Sequence, residues 1–99
     1  MKLVILDEAE QDLVEGHFFY DQQQAGLGDY FLDSMFADIE SLQIYAGVHR
    51  IWFGEYHRLL SKRFPFGVYY TVNDQAIRIR AVLDLRANPA WIRERMMGS

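Results

Sequence analysis

The sequence predicts an α+β domain in the order β-α-α-β-β-β-α: a helix hairpin packed on a small twisted antiparallel sheet, with a short C-terminal helix. Three observations predict it. Two stretches in the first half repeat apolar residues at 3-4 spacing on either side of a glycine-containing break. The segment YHRLLSKRFPFGVYYTVNDQAIRIRAVLDLR, Tyr56 to Arg86, reads as three consecutive strands rich in β-branched and aromatic residues. The length of 99 residues, 51% of them apolar, admits a single domain over residues 1–99 with a real core.

Each element has its own signal. Lys2–Leu6 is apolar, β-forming and too short for a helix, so it is predicted as a strand. Asp7 stands where an N-cap belongs, with Glu10 three residues on as its reciprocal partner. The helix that follows, Glu8 to Gln23, places Ala9, Leu13, Gly16, His17 and Tyr20 on one face, widened by Val14 and Phe18. Asp12, Glu15 and Asp21 fall toward solvent. Gly26 is the expected left-handed stop. A second helix, Asp29 to Tyr45, carries the stripe Phe31, Met35, Ile39 and Leu42, flanked by Leu32 and Phe36.

Ala46–Gly54 is predicted as a loop whose Ile51, Trp52 and Phe53 cover a core edge. The strands are expected at Tyr56–Lys62, Phe66–Val72 and Ala76–Leu85, with Pro65 and Asn73-Asp74-Gln75 marking the turns. In the last strand Ile77, Ile79, Ala81 and Leu83 alternate with Arg78, Arg80, Val82 and Asp84. One face is thus expected to meet the helices and the other to present arginines. Asn88-Pro89 starts a short helix, Ala90 to Met96, leaving Gly98-Ser99 as an unassigned tail.

Composition excludes several classes. There are no cysteines, hence no disulfide framework, thiolate zinc site or thiol chemistry. No window approaches the ~18 apolar residues of a membrane span, and the first apolar run is too short for a signal peptide. A cytoplasmic chain that does not enter a membrane is expected. His17, His49 and His57 are too scattered to suggest a metal site. No phosphate loop or supported Ser-His-Asp order is present, so no metal or other cofactor is expected. The net charge of −4 is unevenly spread. Residues 1–47 hold ten acidic residues and one basic one, a charge of −9, and residues 48–99 hold four acidic and nine basic ones, a charge of +5. An anionic partner would therefore meet the C-terminal half.

Four stretches, EAEQDLVEGHFFY, GLGDYF, YHRLLSKRFPFGVYY and AVLDLRANPAWI, cover nearly the whole chain in order. Together they resemble the RelE/ParE toxin superfamily of type II toxin–antitoxin, or plasmid stabilisation, modules. PFGVYY and LDLRANP are most similar to the ParE-like branch. The resemblance implies a compact bacterial toxin that forms a hetero-oligomer with a cognate antitoxin. It implies one of two activities: binding to DNA gyrase, or ribosome-dependent cleavage of messenger RNA. A member that retains only partner binding is a third reading. None of the three implies sequence-specific DNA binding by this chain alone.

RNA cleavage of this kind needs a proton acceptor, a proton donor and cations around the phosphate. Arg58, Lys62, Arg63 and Arg86 supply charge, and His57 is the nearby group that titrates near neutrality. The candidate nuclease set is therefore His57, Arg58, Arg63 and Arg86. The resemblance places a nuclease arginine at Phe66 or Gly67 and a tail tyrosine or histidine near Trp91 or Ile92. Neither position holds a competent residue, which favours a toxin that binds a protein over one that cuts RNA. For such a toxin the target-binding candidates are Arg58, Arg63, Arg86, Trp91 and Arg93. Arg78 and Arg80 are the candidates for an acidic antitoxin segment, a disordered tail that folds on binding. The purely structural alternatives pair Arg86 with Asp84 and bury Trp91 as an anchor for the last helix.

Overall fold

The computed structural model describes residues 1–98. Strand β1 (Lys2–Ile5) leads into helices α1 (Asp7–Gln23) and α2 (Leu27–Glu40) and a short helix α3 (Leu42–Tyr45). Strands β2 (Ile51–Trp52), β3 (Tyr56–Leu60), β4 (Phe66–Val72) and β5 (Ala76–Asp84) follow, and helix α4 (Pro89–Met97) ends the described chain.

The sheet is five-stranded, in the order β1-β5-β4-β3-β2. It is mixed, which corrects the antiparallel expectation: β1 pairs in parallel with β5, Lys2 opposite Ala76 through Ile5 opposite Ile79. Turn signals reveal the direction of strands joined by hairpins. β1 has no sequence-adjacent partner, so its direction follows from the helical crossover instead. The expected loop at residues 51–52 is the edge strand β2, with Ile51 opposite His57 and Trp52 opposite Tyr56.

One sheet face carries the main core. Ala9, Leu13 and Tyr20 of α1 and Phe31, Met35 and Ile39 of α2 pack with Phe66, Val68, Tyr70, Ile77, Ile79 and Val82. The two helices approach closely because of Gly16: a Cβ there would lie 2.5 Å from ring atoms of Phe31. Val14 and Phe18, expected to widen the buried stripe, are 55% and 58% exposed. The turn between α1 and α2 uses Gly26 at φ 90°, and the Asp21 carboxylate accepts the N–H groups of Gly26 (3.0 Å) and Gly28 (3.2 Å). That support lets α2 begin at Leu27, before the expected Asp29. Asp7 is not a cap. It is the first helical residue, after Leu6, whose N–H still bonds Ile79 O at 3.1 Å as the chain leaves β1. At the other end Asn88 does cap α4, accepting the Ala90 N–H at 2.8 Å.

The second sheet face is not an open arginine surface. Helix α4 covers part of it, with Ile92 and Met96 packed on Tyr69, Ala81 and Leu83. The reason lies in β5. Tyr69 pairs with Ala81 and Tyr70 with Ile79, so Arg80 is an extra residue, a β-bulge that shifts the alternation by one. Before the bulge Ile77 and Ile79 face the helix hairpin. After it Val82 does, and Ala81 and Leu83 face α4. The expected grouping of Ile77, Ile79, Ala81 and Leu83 on one face is therefore split in two.

Candidate functional site

At the end of the sheet where β3 stops and β5 delivers its last residue, the loop at 61–65 lies against the chain entering α4. Leu85 N–H bonds Pro65 O at 2.8 Å, and Ser61 N–H bonds Phe66 O at 2.9 Å. Phe64 turns inward and meets Tyr20 and Phe31 edge-on, at centroid distances of 4.8 and 5.1 Å. Lys62 and Arg63 are left exposed. Arg86 lies beyond β5, and its Nε and Nη2 donate to the two Asp84 oxygens at 3.1 and 2.9 Å, with Tyr20 Oη at 3.4 Å. The Arg86 hydrogen bond, opposed by partial burial, holds the Asp84 carboxyl below the usual carboxylate range. Burial pushes the Tyr20 hydroxyl up.

Between α1 and α4 runs a cleft of about 200 Å³ whose lining includes Gly16, Phe19, Phe66, Asp84, Ala87 and Trp91. Trp91 is 51% exposed and Phe19 49%. The expectation that Trp91 is a buried anchor is thus corrected: Ile92 and Met96 hold α4 down. The apolar rim continues along α1 through the exposed Val14 and Phe18. A cleft lined by the aromatic Phe19, Phe66 and Trp91 beside the carboxylates of Asp12, Glu15 and Asp84 has the mixed apolar and polar makeup of a protein-contact surface.

The wall of this cleft is fixed by Asp12, expected at the surface but only 8% exposed. Its carboxylate accepts from Arg95 Nη1 and Nη2, each at 2.8 Å, and from the Val82 N–H at 2.9 Å. One buried ion pair therefore ties α1, β5 and α4 together. Burial pushes the Asp12 carboxyl up, against the pull of Arg95, and the Asp12 hydrogen bond pushes the Arg95 guanidinium up. Arg80 joins the network through an ion pair with Glu8 and a 3.4 Å hydrogen bond to Arg95 O. Expected on an open face, it has a side chain only 19% exposed. Arg78 is half-buried, and no carboxylate among the described residues pairs with it.

The nuclease set is not brought together. His57 and Arg58 are adjacent on β3 and face opposite sides of the sheet: His57 stands opposite Tyr70 on the helix-hairpin side, and Arg58 opposite Tyr69 on the α4 side. Phe66 is buried among aromatic rings. At Gly67 a Cβ would lie 3.1 Å from Arg58 Cδ and 3.1 Å from Leu85 Cδ2, so a larger residue there would press on both side chains. Arg93 is exposed on α4, and Arg63 on its loop.

Sequence reasoning missed one cluster. His49 and His57, thought scattered, meet at Tyr70. The Tyr70 hydroxyl accepts the Gly47 N–H at 3.0 Å and lies 2.5 Å from His49 Nδ1, and His57 Nδ1 donates to His49 O at 2.6 Å. Burial first, then the nearby His57, lowers the His49 pKa. The loop before β2 brings the two histidines together, and nothing in their spacing announces it.

No family model matches the chain, and no curated protein matches it. Among solved structures it is similar to one titled "Chromosomal ParDE TA system from P. aeruginosa", with a TM-score of 0.75 and 19% identity over 86% of this chain and 96% of that chain. At this identity the likeness establishes the architecture alone: the chain shares the fold of a chain of that ParDE system, with helices packed on a five-stranded mixed sheet and a C-terminal helix.

Proposed function

We propose that this chain is the toxin of a type II toxin–antitoxin module, of the ParE-like kind. It inhibits growth by binding a protein target, DNA gyrase, and is kept silent in the cytoplasm by a cognate antitoxin. The observation that carries the proposal is the fold shared with a chain of a ParDE system over 86% of the present one. Support against the nuclease reading comes from His57 and Arg58 lying on opposite faces, and from Phe66 and Gly67 standing where that reading wants an arginine. The target surface in this proposal takes the exposed Arg63, Arg86, Trp91 and Arg93, with Trp91 and the exposed Phe19 lining the α1–α4 cleft. Arg58, on the other side of β4, does not belong to it. Of the two antitoxin candidates, Arg78 has no carboxylate partner among the described residues and Arg80 is paired with Glu8.

Controlled expression without the neighbouring reading frame tests the proposal. Early loss of DNA synthesis with induction of the DNA-damage response is expected, and co-expression of a small adjacent antitoxin should reverse it. Immediate loss of translation with cleaved messages would establish the nuclease instead. Normal growth at confirmed protein levels would leave a partner-binding module.

A further inference from the structure

Beyond the cleft, the opposite edge of the sheet carries two arginines in an unusual position. The β2–β3 register places Arg50 directly opposite Arg58, one step past the Ile51–His57 pair, with Arg58 N–H bonded to Arg50 O at 3.0 Å. Like charges directly across a strand pair repel. No carboxylate among the described residues pairs with either. Both guanidinium groups instead lie over the Trp52 ring, Arg58 at 3.9 Å and Arg50 at 4.6 Å from its centroid. The indole face holds the cations in place without neutralising them. Arg58 Nε is buried with no acceptor among the described residues, and such orphans are rare in folded proteins. The stem of Arg58 packs over Gly67, so its head group cannot swing far.

We propose that Arg50 and Arg58, fixed over Trp52, form a clamp for a carboxylate on an acidic, partly apolar peptide segment of a partner protein. Arg50 and Arg58 line one groove together with Trp52 and Leu60, and a guanidinium fork matches a carboxylate bidentately. Leu60, 55% exposed, continues the Arg58 face, and the outer edge of β3 at Leu59–Leu60 has no neighbouring strand among the described residues. An extended peptide can therefore lie beside the clamp and add backbone hydrogen bonds. A polynucleotide fits less well, because its affinity rests on many phosphate contacts and the chain carries a net −4. The clamp rests on the toxin reading only in that it names the chemistry of a partner contact. Its test uses isolated peptides, so it stands or falls separately from growth arrest.

Binding is measured to a blocked pentapeptide of alternating leucine and glutamate, to its glutamine counterpart, and to a short uridylate oligonucleotide. The readouts are the Arg58 Nε–H resonance and Trp52 emission in a Trp91→Phe background. The glutamate peptide is expected to shift both signals, and the glutamine peptide to bind at least about tenfold more weakly. Arg50→Gln and Arg58→Gln, checked for unchanged circular dichroism, should each weaken the glutamate peptide by about tenfold. Equal binding of the two peptides overturns the clamp, as does unchanged affinity in both folded variants. Stronger binding of the oligonucleotide than of the glutamate peptide overturns it in favour of a nucleic-acid site.

Discussion

Substitution of Asp12 by alanine tests the junction that sets the position of α4 and hence of Trp91 and Arg93. It removes three hydrogen bonds of 2.8, 2.8 and 2.9 Å, strands the Val82 N–H and leaves Arg95, with a side chain 19% exposed, without its anion. Removing one partner of a buried pair costs about 3–5 kcal/mol, because the remaining charge stays desolvated. Arg95 keeps some access to water, so the lower end, about 3 kcal/mol, is expected. For a chain of this size that lowers Tm by about 12–24 °C. Denaturant melts of Asp12→Ala, Arg95→Met and the double variant provide the assay. The double variant should recover part of the loss, because an apolar pair does not carry the desolvation penalty. A coupling energy below about 0.5 kcal/mol, the level of independent sites, would refute the claim that this pair acts as a unit. So would an Asp12→Ala cost below about 1 kcal/mol, which is the range of a surface pair.

Three further outcomes are expected. In Arg86→Gln the Asp84 carboxyl, depressed chiefly by the Arg86 hydrogen bond, should titrate closer to an ordinary aspartate in carboxyl-carbon NMR. Because its folded value is depressed, its contribution to stability is present above the unfolded value and is lost as pH falls through the folded one. His49, lowered mainly by burial, binds fewer protons folded than unfolded, so stability should decline as pH falls below about 6.5 toward the lowered value. That decline should flatten in His49→Gln, as followed by melts across the same pH range. Gly16→Ala places a methyl group 2.5 Å from Phe31 ring atoms and should cost about 1–3 kcal/mol by denaturant melts, through forced separation of α1 and α2.

Local patterns carried much of the fold. The stripe Phe31, Met35, Ile39 was legible because helical spacing and burial coincide along α2, and Leu42 is buried with it although the single helix expected to Tyr45 is interrupted at Ser41, with Leu42 opening α3. Strand β4 was legible for its β-branched and aromatic run, bounded as expected at Phe66 and Val72. The Asn88 cap with Pro89 at the helix start needed only two neighbouring residues. The candidate site was legible in its parts, since Arg86, Trp91 and Arg63 are exposed near one end of the sheet. Its internal order was not. The burial of Asp12 depends on Arg95, which is 83 positions away in sequence, and Val14 and Phe18, at helical spacing with the buried face, stay exposed.

What the sequence by itself determined is therefore the set of elements, their order and the α+β class, because caps, turns and periodicity act over a few residues. What only the tertiary structure decided is which residues meet. A single bulge at Arg80 reversed the facing of half of β5 and turned Ala81 and Leu83 toward α4, while Arg80, one of the two arginines expected on an open face, pairs with Glu8. Alternation along a strand propagates from every residue before it, so one unpaired residue changes the side of all that follow. The same logic separates His57 from Arg58, and packing of the β2 loop brings His49 to Tyr70 and Arg50 to Trp52. These pairings are long-range, and no window of the sequence contains both partners in a pattern that announces them.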